Sequence, residues 1–112
     1  MQNFFFTLQV SKQEPNVVID GHGLIVSPGF IDIQINGAFG IDFSTPEVML
    51  SKEKDGLRKV ALALLQHGVT SFLPTIITSQ HQTYEQLVPL FKPTVGSIEN
   101  GAEVLGCHVE GK

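Results

Sequence analysis

Cysteine is almost missing from these 112 residues. Cys107 stands alone, which excludes an internal disulfide framework and any zinc module built from several cysteines. Blocks of like charge are missing too: 7 Lys plus Arg against 11 Asp plus Glu leave a formal net charge of −4. That mild acidity argues against a dedicated nucleic-acid surface. No apolar run approaches the roughly 18 residues that would suggest a membrane span. The apolar start, Met1 to Val10, has no basic residues ahead of it, and Lys12 and Glu14 close it without a small-residue cleavage pattern. It does not read as a signal peptide. No Gly-Lys-Ser/Thr follows Gly37 and Gly40, and no Gly-x-Ser-x-Gly elbow occurs, so neither a phosphate loop nor a serine-hydrolase turn is present. What is present is apolar: 42% hydrophobic residues and 16% charged, the composition of a chain with a buried core. A soluble, cytoplasmic protein is the expectation.

Two regions differ in pattern. In residues 1–27, Phe4 to Val10, Val17 to Ile19 and Leu24 to Val26 read as short strands around Pro15 and the Asp20-Gly21-His22-Gly23 turn. They are a piece of a small β layer, too little to stand as a domain. From Pro28-Gly29 onward the chain alternates strand and helix. Phe30 to Asn36 alternates strictly, with Ile31, Ile33 and Ile35 on one face and Asp32, Gln34 and Asn36 on the other. Gly37 and Gly40 open a flexible loop. Ser44-Thr45-Pro46-Glu47 offers a capping box and a proline for a first helical turn. Leu57, Val60, Ala61, Leu64 and Leu65 form the stripe of a half-buried helix that Gly56 separates from that turn and Gly68 stops.

Val69 to Ile77 is a β-branched, apolar run and reads as the next strand. Ser79-x-x-Gln82 caps a second helix with Tyr84, Leu87, Val88 and Phe91 as its stripe, weakened by Pro89 near its end. Lys92 to Gly101 is a loop, and Val104 to Val109 a third strand. This order predicts an α/β fold of parallel βαβ units. Three strands with two crossover helices suit the opening of either a doubly wound sheet or an eight-stranded barrel, and periodicity does not choose.

Functional side chains of such folds gather at the carboxyl ends of the strands. Gln34 and Asn36 end the first strand, and His108 and Glu110 the third, both pairs spaced i, i+2 and so on one face. His-x-Glu supplies an imidazole and a carboxylate to a divalent metal, but a catalytic zinc takes about three protein ligands and an open position. A solvated Glu110 near the end of the chain is the plainer reading of the spacing alone. His22 sits in a turn and His81 on the first turn of a helix, both as surface residues. His67, at a helix C-terminus, suits the partial negative charge there. Cys107 alternates with His108 and is expected to pack outward as a small apolar residue.

Three segments together resemble one family. Ser27-Pro28-Gly29-Phe30-Ile31-Asp32-Ile33-Gln34-Ile35-Asn36-Gly37, His67-Gly68-Val69-Thr70-Ser71-Phe72-Leu73-Pro74-Thr75 and Leu105-Gly106-Cys107-His108-Val109-Glu110-Gly111 arrive in the order and at the spacing seen in the N-terminal part of the N-acetylglucosamine-6-phosphate deacetylases, within the amidohydrolase superfamily. The resemblance covers residues 20–111. It implies a (β/α)8 barrel preceded by a small β-sandwich domain: residues 1–27 as a remnant of the latter, and 28–112 as roughly the first three barrel strands. The implied reaction is hydrolysis of N-acetylglucosamine 6-phosphate to glucosamine 6-phosphate and acetate.

By resemblance Glu110 is a metal ligand. Most superfamily relatives carry His-x-His where Gln34-x-Asn36 stands here, and neutral amides are poor divalent-cation ligands. One metal ion per site, zinc or iron, is therefore expected, with Gln34, Asn36 and His108 around it and not on it. The remaining ligands and the general acid/base aspartate of the family belong to later strands. The family's proline after Glu-Gly is replaced by Lys112. The chain thus reads as a shortened gene product or partial gene model, inactive by itself, from a homodimeric parent acting on a small-molecule amino-sugar phosphate, with no nucleic-acid or membrane partner. Two other readings remain: a non-catalytic fragment associating with other subunits through its unpaired strand, and a self-sufficient small α/β binding module.

Overall fold

The computed structural model describes residues 17–51 and 55–111. The strand expected over Phe4 to Val10 lies outside them. Ten short elements follow one another. β1 (Phe30–Ile35), β2 (Gly37–Ala38) and β3 (Ile41–Asp42) come first, then α1 (Pro46–Met49), α2 (Gly56–Leu65) and β4 (Val69–Ile76). α3 (His81–Leu87), a single 3-10 turn over Val88–Leu90, β5 (Glu103–Val104) and β6 (His108–Val109) complete the order.

β4 is the middle of the sheet. β1 pairs with it in parallel, Phe30 opposite Val69 and Ile35 opposite Pro74. β5 and β6 pair with it in parallel as well, Phe72 opposite Val104 and Thr75 opposite His108. The expected third strand is thus interrupted. Leu105 N still donates to Phe72 O at 3.0 Å, but Gly106-Cys107 interrupts the ladder between its two pieces, and Gly106 adopts φ +143, a backbone that side chains disfavour. From Phe72 to Thr75 the chain advances three residues while its partner advances four, so one residue bulges out.

The helices form where the apolar stripes lie. Asp55 caps α2, its side chain accepting from Arg58 N, a contact typically worth about 1 kcal/mol. Val60, Ala61 and Leu64 are buried, while Leu57 and Leu65 are half-buried against the same core. Gly68 ends the turn after α2 at φ +75. α2 packs on β4, and the core between them holds Phe43, Phe72, Ile76, Leu87, Phe91 and Val104. Phe43 stacks on Phe72 with ring centroids 6.3 Å apart and meets Phe91 edge-on at 5.6 Å. Gly101 is the closest approach of loop to helix. A Cβ there would lie 2.3 Å from the Ala61 carbonyl carbon, and φ is +91, so only glycine lets Ala102 N donate to Ala61 O.

Several expectations need correction. Val17 to Ile19 and Leu24 to Val26 are not strands; they run as irregular chain with Ile19 at 87% and Ile25 at 95% exposure. Local β propensity has no partner strand there among the described residues. In β1, Ile35 packs against the core, but Ile31 and Ile33 are exposed, because the helices cover β4 and not β1. Gly37 and Gly40 do not open a loose loop. They build a tight antiparallel hairpin, Ala38 opposite Ile41, with Phe39 and Gly40 both at positive φ as a two-residue turn requires. The Ser44-x-x-Glu47 capping box does not form. Thr45 is the N-cap of α1 without a side-chain cap bond, and Ser44 Oγ instead accepts from Ile77 N at 3.0 Å. Likewise Gln80, not Ser79, is the N-cap of α3, since Ser79 Oγ donates to Ile77 O at 2.8 Å. Val88 is exposed, because the chain tightens at Pro89 and turns it away from the core.

Candidate metal-ligating site at the strand ends

Parallel pairing sets the carboxyl ends of β1, β4 and β6 along one rim of the sheet. The Thr75 hydroxyl, fully buried, fixes that rim from inside. It accepts from Ile35 N at 3.1 Å and donates to Leu73 O at 3.2 Å, pinning the end of β1 to β4. On the other edge Glu110 N donates to Ile76 O at 3.1 Å, continuing the β6 ladder by one bond. Thr78 Oγ1 lies 3.1 Å from Glu110 O and 3.0 Å from Gly111 O, sharing one proton between them. The Glu110 backbone is therefore held on both sides.

Of the four residues singled out by sequence, Gln34 and Glu110 meet here, and His108 reaches the strand that carries Gln34. Gln34 Nε2 donates to Glu110 Oε1 at 2.7 Å, and Gln34 N donates to Asp32 Oδ1 at 3.0 Å. His108 Nδ1 lies 2.9 Å from Ile33 O. A carbonyl oxygen can only accept, so Nδ1 carries the proton and a neutral ring keeps its lone pair on Nε2. Asn36 stands apart. Its carbonyl accepts from Phe43 N at 3.0 Å, and it borders a separate open cleft of about 310 Å³ with Gly37, Ile41, Asp42 and Ile77.

Sequence reasoning passed over Asp32, Thr75 and Thr78. Asp32 and Thr75 were visible only as an alternating and a β-branched strand residue, and Thr78 as the first residue past a strand. None of those signals distinguishes a supporting hydroxyl or carboxylate. The remaining candidates sit elsewhere. His22 is exposed in its turn at φ +47, and His81 is exposed and 3.3 Å from Glu85. His67 stacks on Phe39 at 6.0 Å. Cys107 is half-buried against the core, and burial pushes its thiol above its ordinary value, away from thiolate reactivity.

The donor chemistry fits part of a metal site. A carboxylate oxygen and an imidazole nitrogen whose second nitrogen donates to a backbone carbonyl are the groups that zinc or iron takes, in the orientation a ligating histidine usually has. Among the described residues no three His, Cys, Asp or Glu side chains cluster closely enough to hold an ion together. Glu110 and His108 do not by themselves make up such a set. No described helix is long and apolar enough to cross a membrane.

No protein-family profile matches the chain. Individual proteins do. N-acetylglucosamine-6-phosphate deacetylase of Caenorhabditis elegans is 55% identical over 100 residues, 89% of this chain and 24% of the relative. The human protein of that name is 47% identical over 92 residues, 82% of this chain and 22% of the relative. That of Bacillus subtilis (strain 168) is 36% identical over 95 residues, 78% of this chain and 21% of the relative. The chain spans about a quarter of the length of these curated relatives.

Proposed function

We propose that this chain, a homologue of N-acetylglucosamine-6-phosphate deacetylases, carries the first metal-ligating carboxylate of such a hydrolase, Glu110. The whole enzyme would cleave the acetamide of N-acetylglucosamine 6-phosphate to glucosamine 6-phosphate and acetate, in amino-sugar catabolism. The observation that supports this most is the Gln34–Glu110 link: an amide and a carboxylate from two different strands meet at 2.7 Å on the carboxyl rim of a parallel sheet, where α/β enzymes place their chemistry.

The parallel order, with α2 and α3 as crossovers, suits the opening strands of a (β/α)8 barrel over residues 28–112. Residues 1–27 then belong to a preceding small β-sandwich domain. One divalent ion, zinc or iron, would bind Glu110 together with ligands outside this segment; when bound, it supplies polarisation of the amide carbonyl and activation of water. Glu110 contributes the anionic oxygen and Gln34 holds that carboxylate. His108 presents Nε2 to the same rim. Asn36 borders the neighbouring cleft. A cytoplasmic homodimer is the proposed whole, acting on a small phosphorylated amino sugar.

By themselves the 112 residues are expected not to release acetate from N-acetylglucosamine 6-phosphate in zinc or ferrous iron, because Glu110 gives an ion only a partial ligand set and no general acid/base is at hand for proton transfer. Acetate above a metal-only blank, lost on Glu110→Gln, would contradict this. A second reading, a non-catalytic module that associates with other subunits, draws support from β1. Ile31 and Ile33, neighbours on one face of the strand, are 61% and 66% exposed, and exposed apolar patches of this kind drive association. Sedimentation is expected to find the chain self-associated; a monomer with a cooperative thermal transition would remove that reading.

A further inference from the structure

Gln34 and Glu110 are 76 residues apart, and their strands do not touch. β1 and β6 flank β4 on opposite edges, about two strand spacings or roughly 9–10 Å apart. The side chains close that gap over one face of the sheet. The amide nitrogen donates and the carboxylate oxygen accepts, at 2.7 Å, the short end of the usual N–H···O range. This bond occupies Oε1. Oε2 has no hydrogen-bonding partner among the described residues. The amide is itself held, since the Gln34 backbone is fixed by Asp32 and the neighbouring Ile35 N by Thr75. His108 adds a second tie in the same direction, from β6 to the Ile33 carbonyl. Of these two cross-sheet hydrogen bonds only that of Gln34 reaches the carboxylate, and it does so with a neutral amide that adds no ligand charge.

We propose that Gln34 is the positioning residue for Glu110: it holds Oε1 and so orients the carboxylate whose Oε2, without a hydrogen-bonding partner among the described residues, is open to a divalent cation. The proposal rests on reading Glu110 as a metal ligand. It has a converse. A carboxylate in place of the Gln34 amide would stand within about 3 Å of Glu110, a like-charge pair that a divalent cation relieves, so the same position that now orients a ligand would become one.

The test uses the ¹⁵N-labelled 112-residue chain and Mn²⁺ as the probe. Without metal, the Gln34 side-chain amide is expected at a shifted, exchange-protected position that returns to the free-amide position in Glu110→Ala. On Mn²⁺ titration, resonances of residues 33–36 and 108–111 are expected to broaden together. The midpoint is expected to rise about tenfold in Gln34→Leu, the low end for loss of an outer partner, to fall in Gln34→Glu, and to vanish in Glu110→Gln. An unchanged midpoint in Gln34→Leu, with loss in Glu110→Gln, would overturn the positioning role and leave Glu110 as ligand. Unchanged broadening in Glu110→Gln would overturn the ligand reading and the proposal with it. A spectrum without dispersion would also overturn it, because the tie exists only with β1 and β6 fixed on β4.

Discussion

A full-length deacetylase carrying this segment is expected to lose its divalent ion and its turnover together on Glu110→Gln. Glutamine keeps the shape of the side chain and can still meet Gln34, but it removes the anionic oxygen, and neutral amides are weak ligands for divalent cations. The backbone around position 110 does not depend on the carboxylate: Ile76 O and the Thr78 hydroxyl hold it through main-chain atoms. The fold is therefore retained while the ion leaves. Metal content by mass spectrometry, read beside kcat, is expected to start at one ion per active site and to fall by more than the 10–100-fold that an outer partner typically contributes. Gln34→Ala is expected to fall within that range. Two ions per site in the unsubstituted enzyme, or full occupancy in Glu110→Gln, would show the one-metal assignment to be wrong.

Phe72→Ala is expected to cost about 3–5 kcal/mol, the range for deleting a fully buried phenylalanine. Phe72 lies in the middle of β4, wholly buried, and its ring is the one on which Phe43 stacks. Its loss removes an aromatic contact between the β1-to-α1 segment and the sheet and leaves a cavity between β4 and α2. Small domains hold only about 5–15 kcal/mol in total, so the variant should be largely unfolded where the parent sequence is folded. Urea unfolding followed by circular dichroism measures this. A midpoint within error of the parent would mean that β4 does not carry the core. Phe43→Leu, which keeps most of the volume, is expected to cost far less.

Much of this architecture is written locally. The stripe Leu57, Val60, Ala61, Leu64 and Leu65 names α2 and its buried face, because a 3.6-residue period needs no information from elsewhere. Val69 to Ile76 forms a strand as its β-branched run implies. Gly68 stops the preceding turn as its backbone freedom suggests. The same local logic fails where a partner decides. Val17 to Ile19 and Leu24 to Val26 have strand composition but no described strand to pair with, and Ser44 and Ser79 have capping composition but give their hydroxyls to Ile77. Gly106 breaks the third strand because one extra residue must be absorbed opposite β4.

The candidate site divides along the same line. The sequence by itself determined the residue types and their rim: amides after one alternating strand, imidazole and carboxylate after another, at the carboxyl ends where parallel strands expose them. It did not determine which of them meet. That depended on register. Ile35 pairs with Pro74 and Thr75 with His108, and this offset brings Gln34 and Glu110 together across β4 while leaving Asn36 beside its own cleft. Register between strands some 70 residues apart is set by packing on the shared middle strand and by hydroxyls such as Thr75, and a period-2 pattern is unchanged when a strand slides by two. Only the tertiary structure, by fixing that slide, joined an amide and a carboxylate into one unit.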